Sequence, residues 1–305
     1  MWRFDVMNTT VSVAAPRLAA AAEHALTIQI ADLFAAVERR FSRFLPASEL
    51  ALLNRSETSI VSAEMIELLR ACRRHVEDTG GLFDPAVGGA LHAAGYDRSF
   101  APGALDREHV PAAPPLARFD ELVIDEAARV VRRPAHVQLD FGGFLKGRTV
   151  DRAIAAMPSP ALIDAGGDMA LAGAGPDGNG WLVDIEDPAD PRGVLATLRV
   201  SDRAVATSAP NRRRWRSGST HAHHLIDPRS GRPSSSDLAQ VTVLAPSAEQ
   251  ADVLAKVAFL LGGREARGFL AERPEVAAVL VTHAGSLELV GDVELAELSS
   301  EVAHG

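Results

Sequence analysis

Residues 137–151, VQLDFGGFLKGRTVD, constrain the fold of this chain more tightly than any other stretch. Val137, Leu139 and Phe141 are apolar at alternate positions, which predicts a strand with one face on a core. Gly142 and Gly143 break the run, and a helix-compatible segment follows from Lys146 through Met157. A strand, a glycine turn and a helix start together present backbone N–H groups to an anion, and Lys146 adds a mobile positive charge. A carboxylate, Asp140, ends the strand. The segment is neither GxxxxGK[ST] nor GxGxxG, so neither familiar nucleotide motif applies. The plain alternative is a tight turn with a surface lysine.

The rest of the composition bounds what that turn can serve. The chain has 305 residues, 47% hydrophobic and 23% charged, enough for a core in one large domain or two modest ones. A formal charge of −9 argues against a general nucleic-acid or anionic-membrane binder. The run Arg212, Arg213, Arg214, Trp215, Arg216 is a local exception that could hold phosphates or stack on a base, or else form a solvated strand end. The single cysteine, Cys72, excludes an internal disulfide and a thiolate metal cluster, and it falls among the apolar positions of a predicted helix. The N-terminus lacks a basic stretch followed by a long apolar core, and no apolar run approaches about 18 residues, so no membrane span is expected. The default expectation for the sequence as given is the cytoplasm.

Residues 2–14 alternate as an opening strand. Ile30, Leu33, Val37, Phe41 and Phe44 recur at steps of three and four, which predicts an amphipathic helix from Leu26. Ser62 begins a second helix that carries Ile66, Leu69 and Val76 inward and stops at Gly80-Gly81. Residues 97–118 read as an irregular excursion. Strands are expected near 121–124, 129–141, 161–172, 181–186, 194–207 and 240–245. Ser247 with Gln250 predicts a capping box for a helix to Leu261, ended by Gly262-Gly263. A short helix before Pro274 and strands at 276–282 and 286–290 follow. Strands cluster in the middle with helices at the flanks, so the expected class is α+β. The expected organisation is one domain over 1–295 with a flexible tail at 296–305.

Several further phrases could carry chemistry. Gly81 through Pro85 is a turn after a helix, and Ala165-Gly166-Gly167-Asp168 lets a backbone or a ligand approach closely. Thr207-Ser208 ends the strand RAVATS, where hydroxyls could face a phosphate or start a turn. His221, His223 and His224 suggest zinc by their density, but their spacing fits neither HExxH nor a finger. A catalytic or ligand-orienting histidine near Asp227 fits better. Asp252 and Lys256 lie one helical turn apart, the spacing of an ordinary ion pair.

Their order says more than any one of them. The phrases are MNT at 7–9, SRFLPASELALLN at 42–54, GLFDPAVG at 81–88, LDFGGFLKGRTVD at 139–151, AGGDM at 165–169, TSA at 207–209, HLIDPRSGRP at 224–233 and ADVLAK at 251–256. In that order, from Met7 to about Val290, the chain resembles the FAD:protein FMN transferase (ApbE) family. The resemblance implies a central, mostly antiparallel, T-fold-like sheet flanked by helices. It also implies a transferase that binds FAD with Mg²⁺, moves FMN onto a Ser or Thr hydroxyl of a partner flavoprotein and releases AMP, with FAD hydrolysis as a side activity.

Carried over residue by residue, Met7, Phe44, Leu82, Phe83, Asp84, Asp140, Lys146 and Ile226 would surround FAD. The backbone carbonyl of Gly143 and the carboxylate of Asp252 would hold the metal, oxygen ligands that suit a hard cation. His224 would shuttle the hydroxyl proton, contact phosphate, or simply order its turn. Three departures bear on this. Asn8 replaces the glycine of Met-Gly-Thr, Ala209-Pro210 replaces the glycine after Thr-Ser, and Lys256 replaces a metal-ligating threonine. Lys256 could stand in for the cation, or swing aside and leave Mg²⁺ in place. The alternative function is an FAD binder impaired in catalysis, serving as a flavin carrier or partner-binding subunit. Many relatives are exported lipoproteins, so an export signal could have been trimmed.

Overall fold

The computed structural model describes residues 1–101, 106, 114–190 and 192–298. These gather into two compact units. The first comprises Met1–Ala35, Phe144–Ala209 and Ser236–Gly305; the second comprises Ala36–Gly143 and Pro210–Ser235. The helices are α1 (Ala20–Phe41), α2 (Glu49–Arg55), α3 (Ala63–Asp78), α4 (Gly88–Ala94), α5 (Leu145–Ile154), α6 (Ala248–Leu261) and α7 (Gly263–Ala271).

The first unit is built on an eight-stranded sheet whose spatial order is also its chain order. Its strands are Trp2–Val6, Thr9–Ala14, Ala161–Ala165, Asp168–Ala172, Arg203–Ser208, Leu238–Ala245, Ala277–Thr282 and Leu287–Val290, and every neighbouring pair is antiparallel. The α+β expectation with a mostly antiparallel sheet therefore holds. Alternation assigns the faces: Ala204 and Ala170 join Val11, Ile30, Phe34, Val150 and Ala248 under the helices. Val205 and Leu171 join Trp181, Ile185, Leu198 and Val279 beneath a second sheet made of Trp181–Glu186, Val194–Val200 and Leu295–Leu298. Leu238–Ala245, covered on both sides, is buried along its whole length. The expected tail from 296 thus opens with a paired strand, Leu298 lying opposite Ala196, while residues 299–305 fall outside the described part.

Hairpins are where sequence and structure part. The single strand expected over 2–14 is two strands joined at Met7 and Asn8, both left-handed at φ +52° and +57°. Two positive φ values are what a tight type I′ hairpin turn requires, and asparagine tolerates that region where the family pattern has glycine. Gly166 and Gly167, at φ +70° and +98°, split 161–172 in the same way, and Asp202 at φ +49° splits 194–207. Turns this short leave the apolar alternation uninterrupted, so the pattern does not show them.

In the second unit, α2 and α3 start on Ser48 and Ser62, whose hydroxyls accept from Ala51 and Met65 N–H at 3.0 Å each. The strand expected over 129–141 stops at Arg132. Pro134 has no N–H to give a ladder, and the following segment is held by side chains instead. Asn54 donates to Leu139 O and accepts from Leu139 N–H, both at 2.8 Å, as a neighbouring strand would. The buried Arg133 guanidinium donates to Leu53 O, Asn54 O, Pro134 O, Ala135 O and Val137 O. Val137, Leu139 and Phe141 do point into the core, as the alternation requires.

Among the described residues one helix, α1, is long and apolar enough by length and composition to cross a membrane, although no such run was expected; Ile30, Phe34 and Phe41 on it are buried in the protein.

Candidate active site

In the first unit the chemistry gathers on α5, on α6 and at the start of the strand Asp168–Ala172, and the two helices meet at their first turns. Two glycine and carboxylate features bring those turns together. Gly147, in the first turn of α5, approaches so closely that a Cβ there would sit 2.3 Å from Ala248 O. Asp151, one turn on, accepts the Ala248 and Glu249 N–H groups at 2.7 and 2.9 Å, and its carboxylate so caps α6. Ser247 supplies the expected cap to Gln250 N–H at 3.2 Å, but the Gln250 side chain bonds Glu275 rather than closing the box. The KG and D of LKGRTVD thus have distinct roles: Gly147 and Asp151 lock two helices, and Lys146 projects from the joint.

Lys146 forms a short ion pair with Asp168, the residue that follows the Gly166–Gly167 turn. On α6, Lys256 Nζ lies 3.3 Å from Asp252 Oδ1. These are not surface pairs: the side chains of Asp168 and Asp252 are 5% and 8% exposed, and those of Lys146 and Lys256 16% and 17%. Burial first, and then the Asp168 carboxylate, push the Asp252 pKa up to about 6 against the pull of Lys256 and Lys146. Among the described residues, Asp252 Oδ2 is buried with no hydrogen-bond partner.

The donor set does not fit Mg²⁺. That ion needs near-octahedral oxygen ligation. Here both carboxylates carry an ammonium, a lysine cannot ligate, and Asp252 Oδ2 is one oxygen. No three His, Cys, Asp or Glu side chains group together among the described residues. Gly143 belongs to the second unit.

The second unit holds an arginine among aromatic rings. Arg43 pairs with Asp140, and its guanidinium carbon lies 4.1 Å from the Phe44 ring centroid and 4.7 Å from that of Tyr96. Its Nη2 is buried with no hydrogen-bond partner among the described residues. Tyr96 stacks on toward Trp215 at 5.6 Å, and burial raises its hydroxyl pKa. Trp215 is sealed in, donating to Ala94 O at 2.8 Å, so the arginine–indole run is a strand with a core residue and not a stacking platform.

Two distant phrases dock beside this group. Gly88 N–H donates to Gln138 O at 2.9 Å, Asp140 N–H donates to Pro85 O at 2.8 Å, and a Cβ on Gly88 would meet Gln138 O at 2.6 Å. The Gly142 amide, expected to face an anion, donates instead to Asp140 Oδ1 at 2.9 Å.

Other residues assigned to the ligand have partners within the protein. The Asp84 carboxylate is fully buried; it accepts from Ala86 and Phe119 N–H and pairs with Arg118, and burial raises its pKa against those bonds. Phe83 and Ile226 have buried side chains, Phe83 edge-on to His75 and Ile226 among Tyr96 and Trp215. Leu82 is half-buried, and Met7 sits on its left-handed turn. Thr207 Oγ1 pairs with Thr242 Oγ1 at 2.9 Å.

The three histidines diverge. His221 is exposed; His223 is half-buried, its pKa lowered by desolvation, and its network assigns the proton to Nε2, which donates to Ser234 O at 3.0 Å. His224 is half-buried, and its carbonyl accepts from Ile226 N–H. Asp227 is held by Arg229, at 2.8 Å to Nη2.

Sequence reasoning passed over Arg43, Tyr96 and the full weight of Asp168. Arg43 stands inside SRFLP and Tyr96 is the chain's one tyrosine, but neither has a local pattern that announces a partner.

In the first unit, two aspartate-paired lysines on α5 and α6 suit an anionic group, and in the second unit an arginine sits over aromatic rings. A family model described as the ApbE family matches residues 7–280. The chain belongs to the ApbE family. The FAD:protein FMN transferase of Treponema pallidum is 29% identical over 288 residues, covering 86% of this chain and 78% of that protein. Its counterpart from Vibrio cholerae is 27% identical over 266 residues, covering 84% and 79%. The crystal structure of the ApbE protein from Thermotoga maritima aligns with a TM-score of 0.83 at 25% identity, covering 95% of this chain and 96% of that one.

Proposed function

We propose that this chain is an FAD:protein FMN transferase. The acceptor Thr or Ser hydroxyl of a partner flavoprotein attacks the FMN phosphorus, a new O–P bond forms, the diphosphate bridge breaks, and AMP leaves with the bridging oxygen. Water in place of the hydroxyl gives FMN and AMP, the side activity. The observation that carries the reading is the Lys146–Asp168–Asp252–Lys256 cluster, drawn from α5, α6 and the strand Asp168–Ala172, in a chain whose family match runs through all four residues.

Such a transfer needs positive charge beside the phosphates and something to take the hydroxyl proton. Lys146 and Lys256 present ammonium donors, each paired with an aspartate, and the α5 start adds the positive end of its dipole. In the second unit, considered by itself, Phe44 is a half-buried ring beside Arg43, with the buried Tyr96 behind it. Met7 and Leu82 are the remaining partly exposed apolar residues assigned to FAD. His224 takes the hydroxyl proton on a ring nitrogen, the role the resemblance allows it.

Incubation with FAD and an acceptor protein, read by mass spectrometry for an added FMN and by chromatography for AMP, tests the proposal. His224→Asn is expected to lower the transfer rate by about 100-fold or more with FAD binding kept. The second reading, FAD binding without transfer, is favoured by the Lys256–Asp252 pair at 3.3 Å. Intact FAD after long incubation, with neither adduct nor AMP, would select it.

A further inference from the structure

We propose that the Lys256 ammonium takes the seat of a divalent cation, so that this chain binds the diphosphate of its dinucleotide without a metal ion. The inference rests on the flavin reading above and names a property of the same cluster.

An aspartate four residues before a lysine is ordinarily a solvated helix pair of little consequence. This one is different because both side chains are largely buried, 8% and 17% exposed, and burying two charges is costly unless each compensates the other. The pair is also held in place. Asp151 and Ser247 fix the first turn of α6 through three N–H bonds, and Gly147 packs against that turn. Lys146 and Asp168 repeat the arrangement alongside, and the Asp168 and Lys146 charges both act on Asp252. The four formal charges cancel, which leaves no negative excess to draw a divalent ion.

Adding such an ion would set two more positive charges beside two buried ammoniums, a repulsion that the low-dielectric surroundings strengthen. An ammonium in its place gives about half the attraction of a doubly charged ion at equal distance, and a second ammonium, Lys146, stands in the same cluster. The rival occupant would have to use Asp252 Oδ2, which lacks a hydrogen-bond partner among the described residues. That rival is an outcome of the test.

The experiment compares FAD affinity of the purified protein, by flavin fluorescence, in excess chelator and in excess Mg²⁺. It is run beside a titration of the protein alone with Mn²⁺, followed by electron paramagnetic resonance. The expected result is an affinity unchanged within about twofold between the two conditions and no stoichiometric Mn²⁺ bound. Lys256→Thr is expected to weaken FAD binding in chelator by about tenfold, to recover it with Mg²⁺, and to bind one Mn²⁺. A wild-type affinity that rises about tenfold with Mg²⁺, or one Mn²⁺ bound by wild type and lost in Asp252→Asn, overturns the proposal. Both comparisons in wild type stand even if the variant fails to fold. Absence of FAD binding under every condition sinks the flavin reading, while the Mn²⁺ titration still decides what sits on Asp252.

Discussion

Replacing Gly147 with alanine asks whether the α5–α6 joint is as tight as it looks. A Cβ at this position would lie 2.3 Å from Ala248 O, 2.6 Å from Ala248 C and 2.8 Å from Glu249 N, all backbone atoms with no rotamer to turn. Ordinary contact begins at 3.4 Å, so one helix must retreat from the other by about 1 Å. The same movement would stretch the Asp151 bonds, now 2.7 and 2.9 Å, beyond hydrogen-bonding reach. Overpacking costs about 1–3 kcal/mol, and a hydrogen bond to a charged acceptor contributes about 1.5–3 kcal/mol. Alanine's better helix propensity returns about 1 kcal/mol. The expected net loss is about 2–5 kcal/mol, measured as a lower urea midpoint at unchanged slope. Because the clash already breaks the Asp151 bonds, Asp151→Asn should cost less in the Gly147→Ala background than alone. A variant as stable as wild type, or one stabilised by the propensity gain, would refute the close approach and with it the positioning of Lys146 by α6.

Asp252 is protonated more readily in the folded chain, near pH 6, than in the unfolded one, near 3.8. Between those values the folded state binds the extra proton, so this group adds stability as pH falls from about 6 toward 4 and withdraws it as pH rises. Asp84 and Asp151, also raised, add the same sign, so the difference between wild type and Asp252→Asn across urea melts at several pH values isolates the one carboxylate; equal slopes would contradict its burial. Arg133→Met should lower stability by about 3 kcal/mol or more, since it strands five carbonyls that the guanidinium now reaches; thermal melts check this, with Arg133→Lys expected to recover part of the loss.

What could be read beforehand was whatever repeats locally. Ile30, Val37 and Phe41 marked α1 and are buried as their spacing required, and Ser62, Ser247 and Gly262 marked helix ends where they occur. α1 begins at Ala20 rather than Leu26 because its alanine-rich start favours helix without any apolar period. Long-range substitutions for regular structure were not legible. Nothing near Asn54 says that its amide will serve Leu139, 85 residues away, nor does anything near Asp151 say that it will cap a helix starting at Ala248. The site followed the same division. Lys146, Asp140 and Asp252 stood in recognisable phrases, whereas the contacts that hold Asp84, Phe83 and Ile226 come from other segments and have no local signal.

The insertion of 36–143 and 210–235 into a sheet that otherwise follows chain order has a bearing on synthesis. As the chain leaves the ribosome, the second unit has all its residues by Ser235, while Thr9–Ala14 has waited for Ala161–Ala165 and the sheet still lacks strands up to Val290. The inserted unit can mature first, and the larger one must close late around loops of great length, a slow step during which bare strand edges are exposed. Truncated nascent chains ending shortly after 235 would therefore be the species most in need of a chaperone.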